Sequence, residues 1–231
     1  LDTQGNLVAT FEVTNAKNRD WEALCHDISG NLYIGDFGNN KSARKDLMIH
    51  KLPNPHQEKG DKIPGEKIRF RYPDQESFPP SFAERRYDAE AFFHHGERLY
   101  IITKNQGDPF DGTARVYSIP DMPGEYEARL ELQFSTCENR KSCRVTDAAL
   151  SPDGKRLVLL GYGTLWIFDN FGEKGFGSGP DRMIDLGATT QLEALCFADN
   201  ELLYLADERV VQAGGKLYAF PLPLETKAKA E

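Results

Sequence analysis

Four carboxylates recur at one place in a repeated pattern: Glu22, Glu90, Asp147 and Glu193 each open a short apolar run. A turn and a second apolar run follow each acid. From the acid to the first leucine of that second run is about ten residues each time: Glu22 to Leu32, Glu90 to Leu99, Asp147 to Leu157 and Glu193 to Leu203. A register held four times marks an internal repeat, so the four acids occupy equivalent positions around a common axis. Carboxylates brought together raise one another's pKa and repel. They are tolerated if they hold a cation, share protons, pair with basic groups or open onto water. Hard oxygen ligands suit Ca²⁺ best, with Mg²⁺ next because it demands tighter octahedral geometry. The same acids could instead accept hydrogen bonds from backbone N–H groups of a neighbouring repeat. The spacing leaves both roles open.

A second set of side chains falls at the end of each second run. Asp36, Thr103, Gly161 and Asp207 align there, followed by Phe37, Lys104, Tyr162 and Glu208. The first of these ends continues as Gly35-Asp36-Phe37-Gly38-Asn39-Asn40, a loop with oxygen-bearing side chains between glycines. Asp36, Asn39, Asn40, Lys104, Tyr162 and Asp207 are therefore the candidate ligand-binding residues at one rim of the axis. Lys104 is the cation of an otherwise acidic set, placed to neutralise the acids or to contact an anionic group. No Gly-x-Ser-x-Gly elbow or His-Glu-x-x-His helix is present. His94 and His95 are adjacent at a turn and point to opposite sides, a poor metal chelate. Asp36, Asp207 and Asn105 are near the rim, but no histidine is placed to act as a base.

The elements that carry these residues read as strands. The repeats are Asp20–Asp36, Asp88–Thr103, Thr146–Gly161 and Leu192–Asp207, each a hairpin about a turn such as Ser29-Gly30-Asn31 or Pro152-Asp153-Gly154. Third strands follow at Asp46–Pro53, Ala114–Pro120, Thr164–Asp169 and Lys216–Pro223. Fourth strands follow at Lys67–Pro73, Ala128–Phe134 and Asp181–Gly187. These outer runs alternate apolar and polar residues, as strands with one wet face do. The pattern describes an all-β fold, a β-propeller of four four-stranded antiparallel blades, forming one domain over residues 1–231 with a polar tail at 225–231. The last repeat lacks a fourth strand, and Leu7–Val13 alternates in the right way to supply it. Leu1–Asn6 reads like the end of a third strand and its turn, which leaves room for a fifth blade in the parent protein. No helix of note is expected, and Phe171–Pro180 is a Gly-rich connector.

Composition narrows the function classes. The net charge is −8 over 231 residues, a field that repels phosphate backbones, so nucleic acid is not an expected partner. No apolar run approaches the roughly 20 residues of a membrane helix, so no membrane span is expected. The expected partner is a small polar ligand or a protein at the rim, and the chain is read as a monomer. Cys137 and Cys143 lie six apart in a polar loop, the spacing of a local disulfide in an exported protein. Cys25 and Cys196 occupy equivalent strand positions and are read as buried free thiols.

The runs Asn18-Arg19-Asp20-Trp21-Glu22-Ala23-Leu24, Gly35–Asn40, Tyr87-Asp88-Ala89-Glu90-Ala91 and Ser151-Pro152-Asp153-Gly154 together resemble a family of exported, largely uncharacterised bacterial propellers. In plan, one acid per blade is similar to the calcium-dependent apyrases, lactonases and phytase-like esterases. The resemblance implies a secreted or periplasmic propeller that binds a cation or small polar ligand in its channel. The alternative it implies is a metal-dependent hydrolase of phosphoesters or lactones. Asp147 in place of Glu, and Asn39 where an acid is expected, depart from that pattern.

Overall fold

The computed structural model describes residues 5–187, 190–210 and 213–223. Four antiparallel sheets are arranged as the blades of a four-blade β-propeller. Inner strands are Trp21–His26, Asp88–His95, Val145–Leu150 and Leu192–Phe197. Each pairs with its hairpin partner: Leu32–Asp36, Arg98–Lys104, Arg156–Gly161 and Leu202–Asp207. The third strands are Met48–Leu52, Thr113–Pro120, Thr164–Asp169 and Leu217–Pro221, close to their expected bounds. Outer strands Glu66–Arg71, Arg129–Ser135 and Arg182–Asp185 complete the first three blades. A single helical turn, Phe171–Lys174, opens the Gly-rich connector. Cys137 and Cys143 are disulfide-bonded, with Cα atoms 5.7 Å apart.

Apolar side chains stack between successive sheets. Tyr33, Phe37, Ile49 and Phe70 of the first blade meet Phe92, Ile101 and Tyr117 of the second. Phe93, Ile102 and Val116 of the second meet Leu159, Trp166 and Phe168 of the third. Val158, Leu160 and Ile167 of the third meet Leu195, Leu203 and Leu205 of the fourth. Each fully buried side chain of this kind contributes about 1.5–3 kcal/mol. Inner strands pack first on second, second on third and third on fourth, and the first and fourth do not pack on each other to that extent.

Two features depart from the expected plan. Leu7–Val13 does not complete the fourth blade. Only Glu12–Val13 is a strand, and it runs parallel to Lys62–Ile63 beside the first blade. Phe11 and Val13 pack on Ile34, Leu52 and Ile63 there. Asn15 holds the segment in place, donating to Gly65 O (2.7 Å) and accepting from Gly65 N (2.8 Å). The first blade offered this segment an apolar face and a two-way amide clamp. The fourth blade, among the described residues, has three strands. Secondly, Gly124–Glu127 of the second blade adds a parallel fifth strand to the edge at Glu66–Arg71, covering it against foreign pairing.

Every inner strand carries a β-bulge near its start. The register breaks between Trp21 and Leu24, Ala89 and Ala91, Val145 and Asp147, and Leu192 and Ala194. The residue before each bulge pairs with Asp36, Thr103, Gly161 and Asp207 in turn, so the rim alignment read from the sequence is the true register. The residues set into the bulge are Glu22, Glu90, Thr146 and Glu193. The alignment of Asp147 with the three glutamates is therefore one residue out. Asp147 stands one step beyond the bulge and lies between blades, where its two oxygens accept from Ala148 N (2.8 Å) and Leu195 N (2.7 Å). Gly161 opposite this bulge has no room for a side chain. A Cβ there would come within 2.8 Å of Ser142 O and 2.9 Å of Arg144 O.

Asp147→Ala leaves two buried N–H groups without acceptors, one of them on the next blade. Unfolding in urea should show a loss of about 1–3 kcal/mol; a loss under about 0.5 kcal/mol would deny the stapling role.

Candidate functional site

A bulged residue is freed from the ladder and its side chain is re-aimed. In three blades that residue is a glutamate, and one of the three, Glu90, is paired with a buried ammonium. Lys104 comes from the end of the second blade's second strand, where it pairs with Asp88 across the ladder. Its Nζ donates to Glu90 Oε2, and both side chains are buried. The ring of Tyr162 lies 4.7 Å from the same Nζ, within cation–π range. Glu22 and Glu193 both feel the charge of Lys104. Glu22 opens to solvent on one side, and Glu193 is half-buried. Thr146, the fourth bulged residue, donates its hydroxyl to Leu192 O at 2.7 Å.

Glu22, Glu90 and Glu193, with Asp88 and Asp20 nearby, outnumber Lys104 and Arg144, and burial penalises the surplus of negative charge further. The Glu22 carboxyl is pushed up to about 8, first by desolvation and then by Glu90, Asp88 and Asp20. Glu90 is pushed up to about 8 by burial, against the pull of Lys104. Lys104 moves above its ordinary value because Glu90 and Glu193 outweigh its desolvation. Lys104 therefore stays charged and paired with Glu90, and the crowding favours the protonated form of Glu22. Asp147, buried beneath the ring, is also raised to about 8 by desolvation, in spite of its two N–H donors.

The six rim residues divide. Lys104 and Tyr162 face the channel. Asp36 turns away from it, accepting from Arg44 Nη2 (2.9 Å) and Asp20 N (3.2 Å). Asn39 is buried, its Oδ1 accepting from Ala43 N and Arg44 N and its own N–H donating to Asp88 Oδ1 at 2.6 Å. Asn40 is exposed and accepts from Gln106 Nε2 at 2.9 Å. Asp207 accepts from Lys216 N (2.7 Å) and Tyr218 OH (2.9 Å). Asp36, Asn39 and Asp207 thus tie loops to blades.

The residues two places before each bulge complete the mouth: Asp20, Asp88, Arg144 and Gln191. Asp88 is buried and accepts from Asn39 N and Gln106 Nε2, stitching the first blade's loop to the second blade. Arg144 also lies over the Tyr162 ring, 4.9 Å from its centre, and donates to Gln106 Oε1. This column keeps a fixed offset from the bulges but not from the four aligned acids, since Arg144 lies three places before Asp147 and the others two before their glutamates. That slip and its mixed chemistry hid it. Among the described residues, no group of three acids, histidines or cysteines is placed to hold one metal ion.

No family model matches the chain, and no curated protein matches it. Solved structures do. The chain is similar to the Swd1 (Cps50) β-propeller domain of Myceliophteria thermophila, at 15% identity and a TM-score of 0.44, covering 88% of this chain and 54% of that one. It is similar also to a periplasmic gluconolactonase of Pseudomonas aeruginosa, at 12% identity and a TM-score of 0.47, covering 89% and 58%. The chain spans a little over half the length of these two structures. No helix of the described residues is long and apolar enough to cross a membrane.

The raised carboxyls set a sign for stability against pH. A carboxyl whose folded pKa exceeds its unfolded value favours the folded state below the unfolded pKa and loses that contribution as pH rises through the folded one. Glu22 and Glu90 place the window between about 4.5 and about 8. The melting temperature should fall as pH rises across it. Glu22→Gln, which mimics the protonated acid, should make the fall shallower and raise the melting temperature at pH 8.5. A steeper fall in the variant would contradict the charge surplus.

Proposed function

We propose that the protein is a binding propeller whose channel mouth takes up a small polar ligand bearing positive charge, held between Glu22 and Glu193 above the Lys104–Glu90 pair. The observation that carries this reading is the crowd of carboxylates at the mouth: Lys104 is already paired with Glu90, while Glu22 is pushed up to about 8 by burial and by Glu90, Asp88 and Asp20. A cationic group entering the mouth favours the charged form of Glu22, so uptake releases a proton and strengthens as pH rises toward and past 8. Tyr162, with Lys104 and Arg144 over its ring, stands beside Glu193 and holds that side of the mouth in place.

An organic ammonium and a divalent cation share this chemistry, and the donor set favours the ammonium. Lys104 already occupies Glu90, Asp147 is committed to two backbone N–H groups, and Thr146 stands in the bulge of the third blade. These residues do not fit a resident Ca²⁺ or Mg²⁺, which want several free oxygens around one point.

Calorimetric titration with ethanolamine and with CaCl₂, in buffers of different ionisation enthalpy, separates the two sources. Ethanolamine should bind with proton release, more tightly at pH 8.5 than at pH 6. Glu22→Gln should weaken it about tenfold, the cost of one charge-assisted hydrogen bond. Tighter binding of CaCl₂ than of ethanolamine would return the metal reading, and binding of neither would overturn the channel as the site.

A further inference from the structure

We infer that the Cys137–Cys143 disulfide is a redox-sensitive latch on the channel mouth, opened by a dithiol reductant and holding Tyr162 and Arg144 in place while it is closed. The two cysteines lie six residues apart, between the outer strand of the second blade and the inner strand of the third. So short a loop removes little freedom from the unfolded chain, and the bond adds less to the fold than a long-range disulfide does. Its placement gives it another use. Cys143 packs in the apolar layer between the two blades, and Arg144 follows it directly.

The loop grips the mouth from two blades. On the second, Arg140 Nη1 donates to Gly107 O (2.8 Å) and Arg144 Nη1 to Gln106 Oε1 (2.9 Å). On the third, Ser142 O accepts from Gly163 N (3.3 Å). Ser142 O and Arg144 O also close over Gly161, leaving no room for a Cβ there. Tyr162 lies between those two glycines, with the Arg144 guanidinium over its ring. Both groups favour the charged form of Glu193, alongside Lys104 and against Glu208. Loosening the loop releases both at once, and Glu193 then holds a proton more readily.

The sulfurs are set for exchange. Cys137 is half-buried and Cys143 buried, so a thiolate from outside meets Cys137 first. Between Cys137 and Arg144 the loop carries Arg140 and Lys141 against one acid, Glu138, and positive surroundings favour thiolates. Ser142 Oγ and Thr164 Oγ1 lie 3.5 and 3.7 Å from Cys143 Sγ, two hydroxyls able to donate to that sulfur as it leaves. The reductant's thiolate bonds to Cys137 Sγ, the protein S–S bond breaks and Cys143 departs as the thiolate. The second thiol of the reductant then displaces Cys137. Two protein thiols form with the reductant's two protons, and the reductant is oxidised to its own disulfide. The effect on ligand uptake rests on the channel reading above; the change in the mouth does not.

Dithiothreitol on the full chain is the test, with bond opening followed by alkylation and mass spectrometry and the fold by circular dichroism. The bond should open while the folded spectrum persists. The Glu193 carboxyl, followed by carbon NMR and assigned through Glu193→Gln, should titrate at higher pH in the reduced protein, and the Tyr162 ring signals should shift. Ethanolamine affinity at pH 7 should fall at least about threefold on reduction and return on reoxidation. Cys137→Ser should behave as the reduced form with or without dithiothreitol. Unfolding on reduction would make the bond a staple and overturn the latch, and so would a bond that dithiothreitol leaves closed in the folded protein. Identical Glu193 titration and Tyr162 signals in the two forms overturn it as well. A shifted mouth with unchanged ethanolamine affinity overturns the control of uptake. If the oxidised protein binds no ethanolamine, the channel reading fails, and the Glu193 and Tyr162 signals still decide the latch.

Discussion

The β-bulge near the start of each inner strand is the constraint on which the rest of the molecule depends. It does two things at once. It turns one side chain per blade out of the ladder and toward the axis, which is how Glu22, Glu90, Thr146 and Glu193 come to share a channel. It also fixes which face every later residue occupies. The residues one and three places beyond the bulge face the next blade, and the residue two places beyond faces the preceding one. Ala91 and Phe93 accordingly meet the third blade while Phe92 meets the first. A one-residue slip would exchange these faces and the packing with them.

The electrostatics of the channel follow from that placement. The bulged glutamates, with Asp20 and Asp88 beside them, outnumber Lys104 and Arg144, so the carboxyls are pushed upward while Lys104 stays charged. The third blade escapes because its bulged residue is a threonine. Its acid sits one place later and acts as a staple between blades, holding the backbone of the fourth. Two residues of the same chemistry, one position apart, therefore serve the channel in one case and the fold in the other.

How much of this was legible is itself set by physics. The strand pairs, the hairpin turns and the rim register could be read because alternation and turn chemistry are local properties. Glu90 and Lys104 could be singled out because both keep their offsets from the repeat. The bulge could not be read, because it changes pairing without changing composition, and so Asp147 was aligned with glutamates that it does not accompany. Leu7–Val13 alternates as an outer strand should, but where such a strand docks depends on competing apolar faces far away in sequence. Asn15 and Gly65, fifty residues apart, decided that contest. Cys25 and Cys196 show the same limit: both are free thiols, yet Cys25 packs against the second blade and Cys196 is exposed.

That last difference has a mechanical side. Among the described residues, apolar clusters fill the contacts of the first blade with the second, the second with the third and the third with the fourth. The inner strands of the first and fourth blades leave Leu24 and Cys196 open to water. Firmness follows the number of buried apolar contacts, so these two strands are held from one side where the middle two are held from both. Glu22 and Glu193 ride on the less firmly held pair, and Glu90 and Lys104 on the second blade, which is clasped from both sides.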